Sequence, residues 1–300
     1  MSVNPSPREI LATLLPPLRL AAGYARQIQT KIATLPAKDT GDNFFAAALT
    51  DADLSIQTLV EVALLAKFPH LSFYGEEYEQ SRNTKYFGST TLGRQDDYLI
   101  TLDPIDGTKF YLDGFDNYQI ILSILNRDHF EAAIAISPAQ DCYYYALRGE
   151  GIYRGSLDAD LNDCTPWRLI DGEDRTENKT IINPKPIILL GWGMAHLKPA
   201  LVDKYQVIDL ENCYSSETKL PNYNGIFSGD LIGWATKRGK FIDSAAIAFM
   251  SQEAGCIVTD FNGSPLAPLH TCQDYSYNGA IVGASKQVHQ DLLSACQNCT

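Results

Sequence analysis

Three apolar runs, at 118–125, 130–137 and 142–148, follow one another with only Asn126-Arg127-Asp128-His129 and Pro138-Ala139-Gln140-Asp141 between them. Consecutive strands with connections this tight predict an antiparallel meander rather than strand alternating with helix. Just upstream, Tyr98-Leu99-Ile100-Thr101-Leu102 is a compact apolar run of the kind that forms a buried strand. A sheet therefore occupies the middle of the chain, and helical patterns flank it.

Before the sheet, residues 8–33 place Ile10, Leu11, Leu14, Leu15, Leu18, Leu20 and Ala21 on a broad helical stripe, which Pro16 and Pro17 are expected to break or kink. Residues 36–43 are rich in turn formers and read as an exposed loop. A second helix is predicted from Asp51 to Lys67, then a short strand from His70 to Tyr74 that stops at Gly75-Glu76-Glu77. Residues 80–97 read as a surface loop. After the meander, the polar stretch 156–184 marks a subdomain boundary, dividing the chain into an N-terminal part, 1–160, and a C-terminal part, 161–300. Beyond it the pattern predicts a strand at 187–190 and a helix over 195–205. Strand or helix follows at 225–237, and a helix over 243–254 is capped by Asp243 and stopped by Gly255. A strand at 256–261 then leads into a hairpin turn at Asn262-Gly263.

Composition removes several classes of function. The 24 basic and 36 acidic residues leave a net charge of −12, which repels nucleic-acid backbones. No window approaches eighteen consecutive apolar residues, so a membrane span is not expected. The start of the chain lacks the basic and apolar regions of a signal peptide, and a cytoplasmic protein is expected. The seven cysteines are scattered, which suits reduced thiols better than a disulfide framework. Cys296 and Cys299 form a CxxC without a second pair or nearby histidine, so no zinc or redox site is read there. The five histidines are far apart and none is spaced as a metal pair. Gly191-Trp192-Gly193 lacks the third glycine and later acidic partner of a dinucleotide fingerprint, and reads as a loop. Tyr143-Tyr144-Tyr145 reads as strand packing on alternate faces.

Carboxylates recur where secondary structure is expected to end: Asp53, Glu76, the pair Asp103 and Asp106, and Asp243. The segment Asp103-Pro104-Ile105-Asp106-Gly107-Thr108 is the most informative. The buried strand delivers Asp103 to its C-terminal end, where open sheets hold ligands. Gly107 and Thr108 then open a helical turn whose N–H groups suit a phosphate. Two carboxylates held close are costly unless protonated or bridged by cations, and oxygen-only ligands suit a hard ion such as Mg²⁺. Phosphatases of the haloacid dehalogenase type use DxDGT, with a nucleophilic aspartate two residues before the second one. Here that position is Pro104, so aspartyl-phosphate chemistry is excluded.

The chain resembles the inositol monophosphatase superfamily, which includes bisphosphate nucleotidases. The resemblance rests on Thr50-Asp51-Ala52-Asp53, Gly75-Glu76-Glu77, DPIDGT at 103–108, and Ile242-Asp243-Ser244-Ala245-Ala246 followed by Glu253-Ala254-Gly255. It implies an α/β (α+β) layered fold, an α-β-α-β-α sandwich whose antiparallel N-terminal sheet and smaller C-terminal sheet share one cleft. It implies two or three Mg²⁺ ions: Glu76, Asp103 and the Ile105 carbonyl for the first, Asp103, Asp106 and Asp243 for the second, and a third near Glu76. It further implies that Thr108, paired with Asp53, orients the attacking water, and that the Gly107 and Thr108 amides bind phosphate. Asp53, Thr108 and Glu76 are thus the expected catalytic residues. The expected partner is a small phosphorylated substrate, either an inositol monophosphate or 3′-phosphoadenosine 5′-phosphate, with no nucleic acid polymer and no membrane. A homodimer and lithium inhibition are expected from the resemblance alone.

Four positions depart from the family's pattern: Ile242 replaces a tryptophan, Phe110 an asparagine, Tyr214-Ser215-Ser216 is the nearest match to a Gly-Ser pair, and Lys109 favours the nucleotidase branch. Lys38 is a candidate for the lysine of a mobile loop. A non-catalytic relative acting through partners is the alternative to an enzyme.

Overall fold

The computed structural model describes residues 5–31, 51–88, 90–92, 97–169 and 185–298. They fall into two compact units, 1–166 with 268–271 and 167–267 with 272–300. The expected loop at 36–43, Lys38 and Cys299 lie outside the described residues.

The first unit opens with helix α1 (Pro7–Ile28), started by a capping box in which Ser6 Oγ accepts from the Glu9 amide and Glu9 Oε2 accepts from the Ser6 amide at 2.7 Å. Pro16 and Pro17 do not break it. Leu11, Leu14, Leu15 and Leu18 are all buried on one stripe. Burial stabilises by roughly 1.5–3 kcal/mol per leucine, which outweighs the ~3 kcal/mol or more of an internal proline. Helix α2 (Asp51–Lys67) packs beside α1, and both cover one face of a seven-stranded sheet. Its strands are β1 (Ser72–Gly75), β2 (Leu99–Asp106), β3 (Gln119–Leu125), β4 (Phe130–Ser137), β5 (Cys142–Leu147), β6 (Gly151–Ser156) and β7 (Thr165–Trp167), in sheet order β1 to β7. The short helix α3 (Thr108–Leu112) joins β2 to β3.

From β2 to β6 every neighbouring pair is antiparallel, as the meander predicts. The sheet is not wholly antiparallel, because β1 runs parallel to β2. The long connection from 76 to 98 is what permits a parallel return. Tyr143 and Tyr145 enter the core under the helices, whereas Tyr144 takes the other face, with the Arg154 guanidinium 5.8 Å from its ring centre. Strand β2 also runs further than its apolar residues suggest. It continues through Asp103 and Pro104 to Asp106, with a register irregularity between Asp103 and Asp106. A bulge tolerates Pro104, which has no amide to donate to the ladder.

The second unit contains β8 (Ile187–Leu190), α4 (Lys198–Leu201), β9 (Gln206–Asp209), α5 (Leu210–Cys213), α6 (Gly225–Ser228), β10 (Gly233–Thr236), β11 (Gly239–Lys240), α7 (Ser244–Glu253), β12 (Ile257–Thr259), β13 (Ser276–Tyr277), β14 (Ala280–Gly283) and α8 (Lys286–Asn298). Its five-stranded sheet has the order β12-β14-β10-β8-β9, with β8 parallel to both β9 and β10. The helix expected over 195–205 is shorter: a single 3₁₀ turn leads into α4. Leu197, Leu201 and Tyr205 are buried at the spacing that suggested a helix, but the chain enters β9 at Gln206.

Asn262-Gly263 does not close a hairpin, since β12 pairs with β14. The turn is held instead by Asp260 Oδ1, which accepts from the Asn262 and Ser264 amides. Pro265 and Pro268 remove amides that a returning strand would need. Helix α8 went unread in the sequence, although Val288, Leu292, Ala295 and Cys296 bury at i, i+4, i+7 and i+8. The described cysteines are free thiols. No described helix is long and apolar enough to cross a membrane.

One buried carboxylate in this unit makes stability pH-dependent. Asp209 accepts from Lys198 Nζ at 2.8 Å, from the Asn212 amide at 2.8 Å and from Asn212 Nδ2 at 2.7 Å. Burial opposes its ionisation, but the lysine and the asparagine donors outweigh it and hold the carboxyl below its ordinary range. A depressed folded-state value means stability that is present above the unfolded value and lost as pH falls through the folded one. Urea unfolding should therefore find Asp209→Asn less stable by about 2 kcal/mol at neutral pH. The gap should narrow as the buffer is taken down through the carboxylate range.

Candidate metal centre

Strand pairing sets two of the expected ligand positions of the first unit, 76 and 103, at the same level of the sheet. Strand β1 lies in register with β2, Gly75 opposite Leu102, and the Glu76 amide donates to the Leu102 carbonyl at 3.0 Å. Glu76 and Asp103 therefore leave neighbouring parallel strands at the same level, where backbones are about 4.8 Å apart. Asp103 is only 3% exposed. Its Oδ1 accepts from the Ile105 amide at 3.1 Å, which folds the strand end back over the carboxylate. Asp106 Oδ2 accepts from Gln119 Nε2 at 2.7 Å, and Gln119 stands directly opposite it on β3.

The turn after β2 depends on Gly107, which has φ +87° and caps α3. An L side chain is strained there by about 1–2 kcal/mol. Gly107→Ala is thus expected to lower the melting temperature by a few degrees and to reduce any phosphate affinity, both measurable on purified protein. Thr108 begins α3, and its hydroxyl donates to the Ile105 carbonyl at 2.8 Å. Asp53 itself is buried in the first turn of α2, the helix that packs on β2. Its charge is felt by Tyr111 of α3, whose hydroxyl is pushed well above its usual range by burial first, then by Tyr118 and Asp53.

The residues that depart from the family's pattern have local roles. Phe110 is buried edge-on to Phe115, ring centres 6.5 Å apart. Lys109 pairs with Asp113 one turn on, at 2.9 Å. Ser215 Oγ donates to Thr218 Oγ1 at 2.8 Å in an exposed turn. Asp243 belongs to the second unit, where it caps α7 and accepts from Ser244 Oγ at 2.6 Å, next to a buried Ile242. Gly191 follows β8 in a loop, where a Cβ would meet the Tyr223 hydroxyl at 2.4 Å.

Sequence reasoning missed two buried glutamines beside the acids, Gln119 and Gln57. No local signal singles them out, since Ser123 shares the strand of Gln119 and Asp53 and Glu61 share the buried helix face of Gln57. Among the described residues no three or more His, Cys, Asp or Glu side chains are gathered as a ready metal site. The donor set is nonetheless oxygen only, from carboxylates at strand and helix ends and a carbonyl with a spare lone pair, and this chemistry fits a hard divalent ion.

The inositol monophosphatase family model matches residues 18–300, nearly the whole chain. The chain belongs to the inositol monophosphatase family. A SuhB protein of Neisseria meningitidis, whose name assigns it provisionally as a Nus factor, is 29% identical over 283 residues, 91% of this chain and 94% of the relative. The inositol-1-monophosphatase of Rhizobium meliloti is 25% identical over 256 residues, 81% and 82% of the two chains. The 3′(2′),5′-bisphosphate nucleotidase CysQ of Haemophilus influenzae is 25% identical over 181 residues, 55% and 61% of the two. Among solved structures, an IMPase of Thermotoga maritima shares the fold with a TM-score of 0.68, at 18% identity and 95% coverage of both chains. An IMPase/NADP phosphatase complexed with Mg²⁺ and phosphate gives 0.62, at 17% identity, covering 93% and 91%. These likenesses fit the layered α/β sandwich expected of this family member.

Proposed function

We propose that this family member is a Mg²⁺-dependent phosphomonoesterase acting on a small phosphorylated metabolite of the inositol monophosphate kind. The observation that carries the reading is the exit of Glu76 and Asp103 together from neighbouring parallel strands, with Asp106 and the Gly107-Thr108 turn following at once. Glu76, Asp103, Asp106 and the Ile105 carbonyl would hold Mg²⁺ ions, two or three being expected from the family resemblance, which also counts Asp243 among the ligands. Such ions screen phosphate charge, lower the pKa of an attacking water and stabilise the leaving oxygen. The solved relative complexed with Mg²⁺ and phosphate supports this choice of ion.

The chain's own residues supply the rest. With its proton on the Ile105 carbonyl, the Thr108 hydroxyl offers lone pairs to hold the attacking water, and Asp53 accepts that water's proton. The Gly107 and Thr108 amides, at the start of α3, receive phosphate oxygens. A nucleotide substrate such as 3′-phosphoadenosine 5′-phosphate competes with a polyol phosphate, favoured by Lys109 and the CysQ relative. A second reading, that the protein acts through a partner without turnover, is favoured by the Nus-factor name carried by several relatives.

One assay separates them. The protein is incubated with Mg²⁺ and a panel of inositol phosphates, sugar phosphates and adenosine bisphosphate, and released phosphate is measured. Release from any of them supports the enzyme, and the preferred substrate names the class. Silence across the whole panel sinks the enzyme reading and leaves the partner reading.

A further inference from the structure

The turn that carries Glu76 is fastened on three sides, and two of the fastenings lead to one side chain. Gln57 is completely buried on α2, one turn beyond Asp53 and so on the same helix face. Its Oε1 accepts from the Glu77 amide at 2.9 Å, and its Nε2 donates to Glu61 Oε1 at 3.0 Å. Glu61, also completely buried, accepts from the Ser81 hydroxyl at the far end of the same turn. The Gln57 carboxamide lies flat against Gly75, where a Cβ would stand 2.3 Å from Oε1 and 2.5 Å from Cδ. Glu76 therefore has its own amide tied to β2, its preceding residue pressed by Gln57, and its following amide bonded to Gln57.

We infer that Gln57 is a positioning residue: it holds the Glu76 backbone in place and ties it to the helix that carries Asp53. The inference rests on the proposed role of Glu76 as a metal ligand. Gly75 follows from it, because only a residue without Cβ leaves room for the carboxamide. Glutamine suits the post because it presents an acceptor to the Glu77 amide and a donor to Glu61 at the same time. Partners of ligand residues commonly change metal affinity by about 10–100-fold when removed.

The test compares wild type, Gln57→Met, Gln57→Glu and Val60→Ala by titrating Mn²⁺ and counting free ion by electron paramagnetic resonance, which needs no turnover. Methionine keeps the volume but offers no acceptor to Glu77. Gln57→Met should weaken Mn²⁺ binding about tenfold or more, and amide hydrogen exchange over 76–80 should quicken. Gln57→Glu keeps an acceptor and should recover part of the affinity. Val60→Ala, a buried change on the same helix, should lower stability without moving Mn²⁺ affinity. If Gln57→Met does not fold, Gly75→Ala displaces the same carboxamide and should show the same loss. Unchanged Mn²⁺ affinity in a folded Gln57→Met or Gly75→Ala overturns the inference while the metal reading stands. A wild type that binds no Mn²⁺ removes the metal reading, and the inference falls with it.

Discussion

Asp103→Asn should abolish phosphate release while leaving the protein folded. Asparagine has the shape of aspartate and keeps the oxygen that accepts from the Ile105 amide, so the strand end stays closed. What it removes is a negative charge at a site 3% exposed, next to the strand that presents Glu76. The charge is costly to bury alone and useful only when a cation balances it. The melting temperature should therefore stay level or rise in metal-free buffer. Turnover should fall by at least about 10³-fold, or ~4 kcal/mol of transition-state stabilisation. Wild-type activity in a folded Asp103→Asn protein would refute the assignment of this carboxylate.

The second large effect is expected at Phe73, on the strand that bears Glu76. Phe73 is fully buried and packs against Phe87 with ring centres 5.0 Å apart. β1 is a four-residue strand at the sheet edge, bonded to β2 on one side only. Phe73→Ala removes its main anchor and should cost about 3–5 kcal/mol, seen as a fall of roughly 10 °C in melting temperature. Trp234→Ala, a fully buried change in the second unit, should cost a similar amount. The two should differ in cation binding at low temperature: only Phe73→Ala loosens the strand that carries Glu76. Equal Mn²⁺ affinity in both variants would show that β1 does not govern the site.

The elements that the sequence shows most clearly are those whose residues answer to their own neighbours. The meander from β3 to β5 was legible because its connections are too short for anything but antiparallel return. The start of α7 at Asp243 was legible because its cap and first turn are local chemistry. The acidic string at 103–108 carried its own exclusion: Pro104 stands where a nucleophilic aspartate would be needed, and no folding is required to see it.

Other features could be settled only by contact between distant segments. Nothing within 72–75 says whether that strand runs parallel or antiparallel to β2; its register with 99–102 decides that Glu76 and Asp103 emerge side by side. The persistence of α1 through Pro16 and Pro17 depends on a core supplied by other elements. Asn262-Gly263 has the composition of a hairpin, yet Asp260 closes the turn and β14 takes the place beside β12.

The acidic residues pointed to the proposed metal chemistry, because carboxylates at strand ends are legible as types and spacings. Where they are held depends on Gln57 and Gln119, two buried amides that no local pattern distinguishes from solvent-facing glutamines. A hydrogen bond is selected by the distance between its atoms in three dimensions, and residues 57 and 77 are brought to 2.9 Å only when α2 packs against the sheet.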